Sequence, residues 1–150
     1  MISNKTKYAI KALVALARKQ KPMTIQAIAD QENIPKKFLE AILLELRKQS
    51  ILGSKIGIGG GYYLLKKPNE IVLSQVLRIS GGPIALLPCV SINFYERCED
   101  CKEEAFCSLR EVVLEVREAT LKVLADTTIE DMVEKEKKLK SLKSSKKQVK

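Results

Sequence analysis

All four cysteines of the chain lie within nineteen residues, in the stretch CVSINFYERCEDCKEEAFC from Cys89 to Cys107. This stretch is rich in charged residues and too short to bury an apolar core of its own. Its structure must therefore come from the segments on either side of it, or from a bound group. In a reducing compartment, thiols clustered this closely indicate metal binding or redox chemistry more than structural disulfides.

The N-terminal sequence favours a cytoplasmic protein with no membrane association. Lys7 and Lys11 fall inside the apolar periodicity of the first nineteen residues, which is unlike the charge-free core of a signal peptide. No apolar run approaches the ~18 residues that a membrane span requires. The cysteines are therefore expected to be reduced.

The net charge of +9 is distributed unevenly along the chain. Residues 1–67 carry 13 Lys and Arg against 4 Asp and Glu, residues 68–134 carry 6 against 13, and residues 135–150 carry 8 against 1. A concentrated basic block attracts polyanions such as nucleic acids. The N-terminal block, and not the cysteine stretch, is thus the predicted nucleic-acid binder, although surface lysines could serve solubility alone.

The basic block predicts three helices. Apolar residues recur at helical spacing over residues 2–19, and Lys21-Pro22 ends that helix. A short helix over residues 25–32, a turn at Asn33-Ile34-Pro35 and a longer helix to about Gln49 form the helix-turn-helix pattern, which any small helical bundle can also produce. The inner stripe of the longer helix is predicted to be Phe38, Leu39, Ile42, Leu43 and Leu46.

A β-hairpin follows these helices. Its predicted strands, 51–56 and 62–65, flank the segment Gly57-Ile58-Gly59-Gly60-Gly61. Glycines permit positive φ and close approach of the backbone to another surface. The segment is not a phosphate loop, because it lacks the GK[ST] sequence and joins two strands. It predicts a wing that presses against a DNA groove, and a plain hairpin turn is the simpler alternative.

The residues after the cysteines predict a long amphipathic helix. Ser108 and Glu111 form a capping box that starts a helix running to about Ala125, with a length of ~27 Å. Its apolar stripe exceeds what a small domain needs on one flank, so a two-fold dimer interface is predicted. A second box at Thr127 and Glu130 starts a short helix. The stripe includes Val112, Val116, Val123 and Leu124.

The predicted fold class is mostly α, a winged helix-turn-helix with a two-stranded β wing and a long C-terminal dimerisation helix. The winged helix-turn-helix domain covers residues 1–67, and residues 68–107 form a connecting helix and a cysteine-rich sensing loop. Residues 108–134 form the dimerisation helix and the short C-terminal helix. Residues 135–150 are predicted to be a basic, disordered tail because they are rich in Lys and Ser.

Over residues 1–134 the chain resembles the Rrf-two family of bacterial winged-helix regulators. The resemblance lies in Lys7-Tyr8-Ala9, in Ile34-Pro35 with Phe38-Leu39-Glu40, and in Gly57-Ile58-Gly59-Gly60-Gly61-Tyr62, followed by the cysteine loop and the long helix. It implies a homodimer on a double-stranded DNA operator, with the recognition helix in the major groove and the wing in the minor groove. The expected DNA-binding residues are Pro35, Lys36, Lys37, Glu40, Lys55, Gly57, Gly59 and Tyr62.

One position of the wing and the set of cysteines depart from the family pattern. Ile56 stands where many members have arginine, so Lys55 is expected to supply the phosphate contact. Members that bind clusters offer three cysteines and one other ligand, whereas this chain has four cysteines and no histidine. The cysteines are separated by eight, two and five residues, and only the gap between Cys101 and Cys107 matches the family.

The expected metal ligands are Cys89, Cys98, Cys101 and Cys107. Four thiolates suit an iron–sulfur cluster, [2Fe–2S] or [4Fe–4S], or a tetrahedral zinc ion, and a thiol-based redox sensor is the remaining alternative. The chain has no histidine, nucleophile elbow or phosphate loop, so an enzyme is not expected. The predicted function is a sequence-specific transcription regulator, with repression the expected mode, whose operator binding responds to an iron–sulfur cluster held by the four cysteines. The alternative is a winged-helix regulator with a structural zinc or a thiol-based redox sensor in the loop.

Overall fold

The computed structural model describes residues 2–81 and 84–147, with side chains as far as Lys143. Within these residues the chain forms six α-helices and one two-stranded antiparallel sheet. None of the helices in this part of the chain is long and apolar enough to cross a bilayer. The elements are α1 Asn4–Lys19, α2 Ile25–Glu32, α3 Lys36–Lys48, β1 Leu52–Lys55, β2 Gly61–Leu64, α4 Leu73–Ser80, α5 Ser108–Asp126 and α6 Ile129–Lys147.

The first three helices confirm the predicted helix-turn-helix, and local caps explain their ends. The Ser3 hydroxyl accepts from the Thr6 backbone N–H at 3.1 Å to start α1, and the Thr24 hydroxyl accepts from Ala27 to start α2. Asn33 ends α2 with φ of 51°, a left-handed conformation that asparagine tolerates better than most residues. This turn brings Pro35 to the residue just before α3.

The predicted wing is also present, and a third segment pairs with one of its strands. Leu52 of β1 pairs with Leu64 of β2, and Met23 pairs with Tyr62 through two backbone hydrogen bonds of 2.9 and 2.8 Å. Gly61 makes this pairing possible: its φ is 140°, and a Cβ there would collide with the Met23 carbonyl. The wing is thereby attached to the segment that enters α2.

One hydrophobic core joins the N-terminal elements to α4 and α6. It runs from Ala9 of α1 through Leu43 of α3 and Val76 of α4 to Ile129 and Val133 of α6. Two backbone hydrogen bonds of 2.9 Å, Leu73 N–H to the Thr127 carbonyl and Ile129 N–H to the Ile71 carbonyl, connect the starts of α4 and α6. The core is therefore not confined to residues 1–67, because α4 and α6 complete it.

The last helix is much longer than the sequence predicts. We expected a short helix and then a disordered tail from residue 135, but α6 continues to Lys147. Its Lys, Glu and Leu residues are good helix formers. Glu136 also forms ion pairs of 2.6 Å with Arg18 of α1 and with Lys140 one turn onward. The Arg18 contact ties the helix to the core domain, and residues 148–150 lie outside the described part.

The predicted capping residues of α5 and α6 are each wrong by one position. Cys107, not Ser108, precedes α5, and its sulfur accepts from the Arg110 N–H at 3.4 Å. Thr128, not Thr127, starts α6 through reciprocal hydrogen bonds with Asp131. The Thr127 hydroxyl instead donates to the Val123 carbonyl of the preceding turn at 2.7 Å. At each helix start, two adjacent residues can accept a capping hydrogen bond, and the sequence pattern alone does not distinguish them.

Candidate functional site

The start of α3 carries a polar, accessible surface. The exposed residues are those that the sequence predicts: Pro35, Lys36, Lys37 and Glu40. The opposite face of the helix is buried and consists of Leu39, Ile42, Leu43 and Leu46. A helix that buries one face and presents lysines at its N-terminal turn can contact both phosphates and base edges. This is the geometry of a recognition helix.

Phe38 is the residue that sequence reasoning misplaced. It was assigned to the inner stripe of the third helix, but its side chain is 66% exposed. Leu39, Ile42, Leu43 and Leu46 already fill the inner face at spacings of three and four residues, so Phe38 projects outward beside Lys37. A large exposed apolar side chain on this surface can contact a thymine methyl group. The sequence could have shown this, because the inner face of α3 is already complete without Phe38.

The tip of the wing is the second exposed surface. Lys55 lies at the end of β1, and Gly57 and Gly59 turn the chain with φ of 103° and 72°. Beside them Ile56 and Ile58 are fully exposed, with relative accessibilities of 97% and 107%. Sequence reasoning noted Ile56 only as a departure from a family arginine and did not single out Ile58. Such exposed apolar side chains at the tip of a hairpin are suited to contact a sugar edge or groove wall of DNA.

Tyr62 lies next to the wing tip but faces the body of the protein. It pairs with Ser54, one step along the strands from the pair of Lys55 with Gly61. Its backbone also pairs with Met23, and its half-buried ring packs against the hydrophobic core. The Tyr62 ring is therefore less accessible than Lys55, Gly57 and Gly59.

The four cysteines line one cavity of about 480 Å³ at the N-terminal end of α5. Cys89 is buried, at 4% exposure, and packs with Val90 and with Val113 of α5. The other three cysteines are half-buried, and all four are free thiols. The fold thus brings together side chains that lie up to eighteen positions apart in the sequence.

Within the cavity the thiols influence one another's pKa values. A hydrogen bond with the Cys89 side chain, together with burial, raises the pKa of Cys98 to about 11. Burial raises the pKa of Cys101, and the charge of Cys107 and a hydrogen bond with it act in the same direction. These two thiols therefore favour the protonated form near neutral pH, and a bound cation must displace their protons.

In the described residues the cysteine cavity does not form a coordination sphere for one ion. Within residues 2–81 and 84–147, no three side chains among Cys, Asp, Glu and His are close enough together to hold a single metal ion. At least one carboxylate near the thiols is occupied by a hydrogen bond to another side chain. Glu104, for example, accepts a 2.9 Å hydrogen bond from the Tyr95 hydroxyl, which raises the pKa of Tyr95.

Two arginines hold the cysteine loop in place, and sequence reasoning missed both. Arg117 of α5 donates to the Val90 carbonyl at 2.6 Å, next to Cys89. Arg97 donates to the carbonyls of Cys101 and Lys102 at 3.2 and 2.9 Å. The guanidinium group has several donors in a fixed plane, so each arginine can fasten an irregular loop.

The apolar stripe of α5 is exposed along most of its length. Val113 is the buried residue of this helix, whereas Val112 is 58% and Val123 is 64% exposed. Exposed apolar side chains repeated along one helix face are characteristic of an interaction surface. We name the exposed residues Leu109, Val112, Val116 and Val123 the α5 stripe.

Comparison with known proteins identifies the family. Residues 2–135 match the Rrf2 family model, described as an iron-dependent transcriptional regulator. This chain belongs to the Rrf2 family. It is 46% identical over 138 residues to an rrf2-like helix-turn-helix regulator of Rhodobacter capsulatus, covering 89% of this chain and 92% of that protein. It is 32% identical over 143 residues to the regulator NsrR of Geobacillus kaustophilus, covering 94% and 95%.

A solved structure confirms the fold class. The structure of CymR, the global cysteine regulator of Bacillus subtilis, superposes with a TM-score of 0.73 at 31% identity, covering 89% of this chain and 96% of CymR. The predicted mostly helical winged-helix fold is therefore confirmed. The family and its relatives are transcription regulators, so this Rrf2 protein is a DNA-binding transcription regulator and not an enzyme.

Proposed function

We propose that this Rrf2 protein is a dimeric, sequence-specific regulator whose operator binding responds to an iron–sulfur cluster held by Cys89, Cys98, Cys101 and Cys107. The observation that carries the proposal is the convergence of all four thiols on one cavity beside α5. Repression is the simplest mode, because a protein seated in two grooves at a promoter excludes other proteins from it.

We favour an iron–sulfur cluster over a single zinc ion at this site. Four thiolates can hold either group, with four ligands on one zinc ion or with two on each iron of a [2Fe–2S] cluster. The iron-dependent description of the family agrees with this choice.

The chemistry of the donor set fits such a cluster. Thiolate sulfur is the soft ligand that iron–sulfur clusters use, and the cavity contains four of them with no competing imidazole. The cluster would supply sensitivity to oxidation or to iron supply. The protein's part is to hold the loop against α5, through the Arg117 contact with Val90 and the packing of Cys89 on Val113.

The coupling route from the loop to DNA runs through α5. The same helix lines the cysteine cavity at its N-terminal end, contacts α4 and carries the exposed α5 stripe. If two protomers pair through that stripe, a shift of the loop changes how the two recognition helices are spaced. Half-sites on B-DNA are read about 34 Å apart, so spacing controls affinity.

A redox sensor without a metal is the second candidate. Its support is the same cavity, since two neighbouring thiols there could lose two protons and two electrons to an oxidant such as a peroxide and close a disulfide. The two candidates differ in iron content, and the measurements below separate them.

Lys37→Ala and Lys55→Ala should each weaken DNA binding and reduce its salt dependence. Lysine contacts to phosphate release counterions, so each lost contact lowers the slope of log affinity against log salt by ~0.9. Fluorescence anisotropy with a duplex that the parent selects from randomised DNA measures both quantities. Lys122→Ala on α5 is the matched control, since it removes an exposed lysine away from both groove surfaces. A parental slope in both variants would contradict the interface.

Cluster-loaded and cluster-free protein should differ in operator affinity by tenfold or more, which corresponds to ~1.4 kcal/mol of coupling. Gel shifts under nitrogen on the same selected duplex, before and after chelation of the iron, give the two constants. Equal affinities would refute sensing even if the cluster is present. Iron-free protein whose affinity changes on treatment with peroxide would support the thiol sensor instead.

A further inference from the structure

The first turn of α5 contains a buried donor without an acceptor. The Nε of Arg110 is inaccessible to solvent and has no hydrogen-bond partner among the residues that the structure describes. Other arginines are well satisfied: Arg18 pairs with Glu32 and Glu136, Arg97 binds two carbonyls, and Arg117 binds the Val90 carbonyl. A buried donor is almost always satisfied, so an unmatched one indicates an acceptor that the protein alone does not provide.

Arg110 lies at the cysteine site. Arg110 lines the cavity that contains the four cysteines, and its own backbone N–H donates to the Cys107 sulfur. Asp100, Glu103 and Glu104 line the same cavity, yet none of them forms an ion pair with Arg110 in the described part of the chain. A group bound by four thiolates keeps a net negative charge, whether it contains iron and sulfide or zinc.

We propose that Arg110 is the positioning residue of the cysteine site: its Nε–H donates to a sulfur of the thiolate-bound group, and its guanidinium balances that group's negative charge. The inference rests on the proposed four-cysteine site. Hydrogen bonds and positive charge near the sulfurs stabilise the more negative state, so Arg110 sets both the affinity of the site and its reduction potential.

Arginine is suited to this position in a way that lysine is not. The Nε donor lies within the side chain, close to the helix, and its plane is fixed by the guanidinium. A lysine retains the charge but places its donor at the end of a flexible stem. Arg110→Lys therefore separates the hydrogen bond from the charge, and Arg110→Gln removes both charge and Nε donor.

The test uses the full chain and two probes. Under nitrogen, Co²⁺ is titrated into reduced parent and variants, and the thiolate-to-cobalt absorption gives the dissociation constant. Samples reconstituted with iron and sulfide then give the midpoint potential. We expect Arg110→Gln to bind Co²⁺ at least tenfold more weakly and to lower the one-electron potential by about 59 mV, which is a tenfold change in the equilibrium constant. Arg110→Lys should lie between the parent and Arg110→Gln.

Lys102→Gln is the matched control, because Lys102 lines the same cavity but is exposed. If both Arg110 variants keep the parental constants and potential, or if Lys102→Gln changes them equally, the inference is overturned and the four-cysteine site stands. A parent that binds neither Co²⁺ nor a cluster overturns the proposed site and the inference with it. Thermal unfolding checks that the variants fold, and Arg110→Lys provides the comparison if Arg110→Gln does not.

Discussion

Replacing any one of the four cysteines by alanine should remove most of the iron and sulfide from protein purified without oxygen. Each sulfur is proposed to supply one of four ligands, and the cavity contains no histidine that could take its place. An iron with an open position is exposed to water and oxygen, so occupancy should fall by roughly tenfold, a typical cost of damaging a metal site. The brown colour of the parent should fade in every variant.

Iron and acid-labile sulfide analysis, with visible absorption, measures this loss. Glu99→Gln is the matched control, since it changes an exposed residue between Cys98 and Cys101 without touching a sulfur. Cys89→Ala needs an additional unfolding measurement because Cys89 is buried against Val113, and its loss also removes packing. Full iron and sulfide in all four cysteine variants would contradict the ligand assignment.

The Val116→Asp variant should be monomeric at concentrations where the parent is a dimer. Val116 lies in the middle of the α5 stripe, whose side chains are exposed in the single chain. In a two-fold interface both copies of the aspartate are buried together, and an unpaired buried charge costs several kcal/mol. A cost of ~3 kcal/mol weakens association more than ~100-fold. Loss of the dimer should also reduce operator affinity sharply.

Sedimentation velocity across a range of micromolar concentrations measures the assembly. Lys122→Asp is the control, because it introduces the same charge at an exposed position of α5 that lies off the stripe. A monomeric parent would rule out the proposed interface. A dimeric Val116→Asp variant would show that the chains pair through another surface.

The sequence alone determined the order and type of the N-terminal elements. Helical periodicity depends on neighbours three and four residues apart, and the signals at Pro22, Asn33 and the wing glycines act within one or two residues. Local information was therefore sufficient for the helix-turn-helix and the hairpin, and the cysteine spacing drew attention to a loop whose thiols share one cavity. The fold class followed from these elements and from the family resemblance.

Only the tertiary structure determined which side chains are in contact and which are buried. Phe38 fits a helical stripe by spacing, but the inner face was already filled by other residues. Glu136 of α6 is paired with Arg18, which lies more than a hundred residues away in the sequence. The shared cavity of the four cysteines and Arg110 arises from how the loop packs on α5. Such contacts join residues that local pattern cannot relate, because the free energy that selects them comes from burial shared across the whole core.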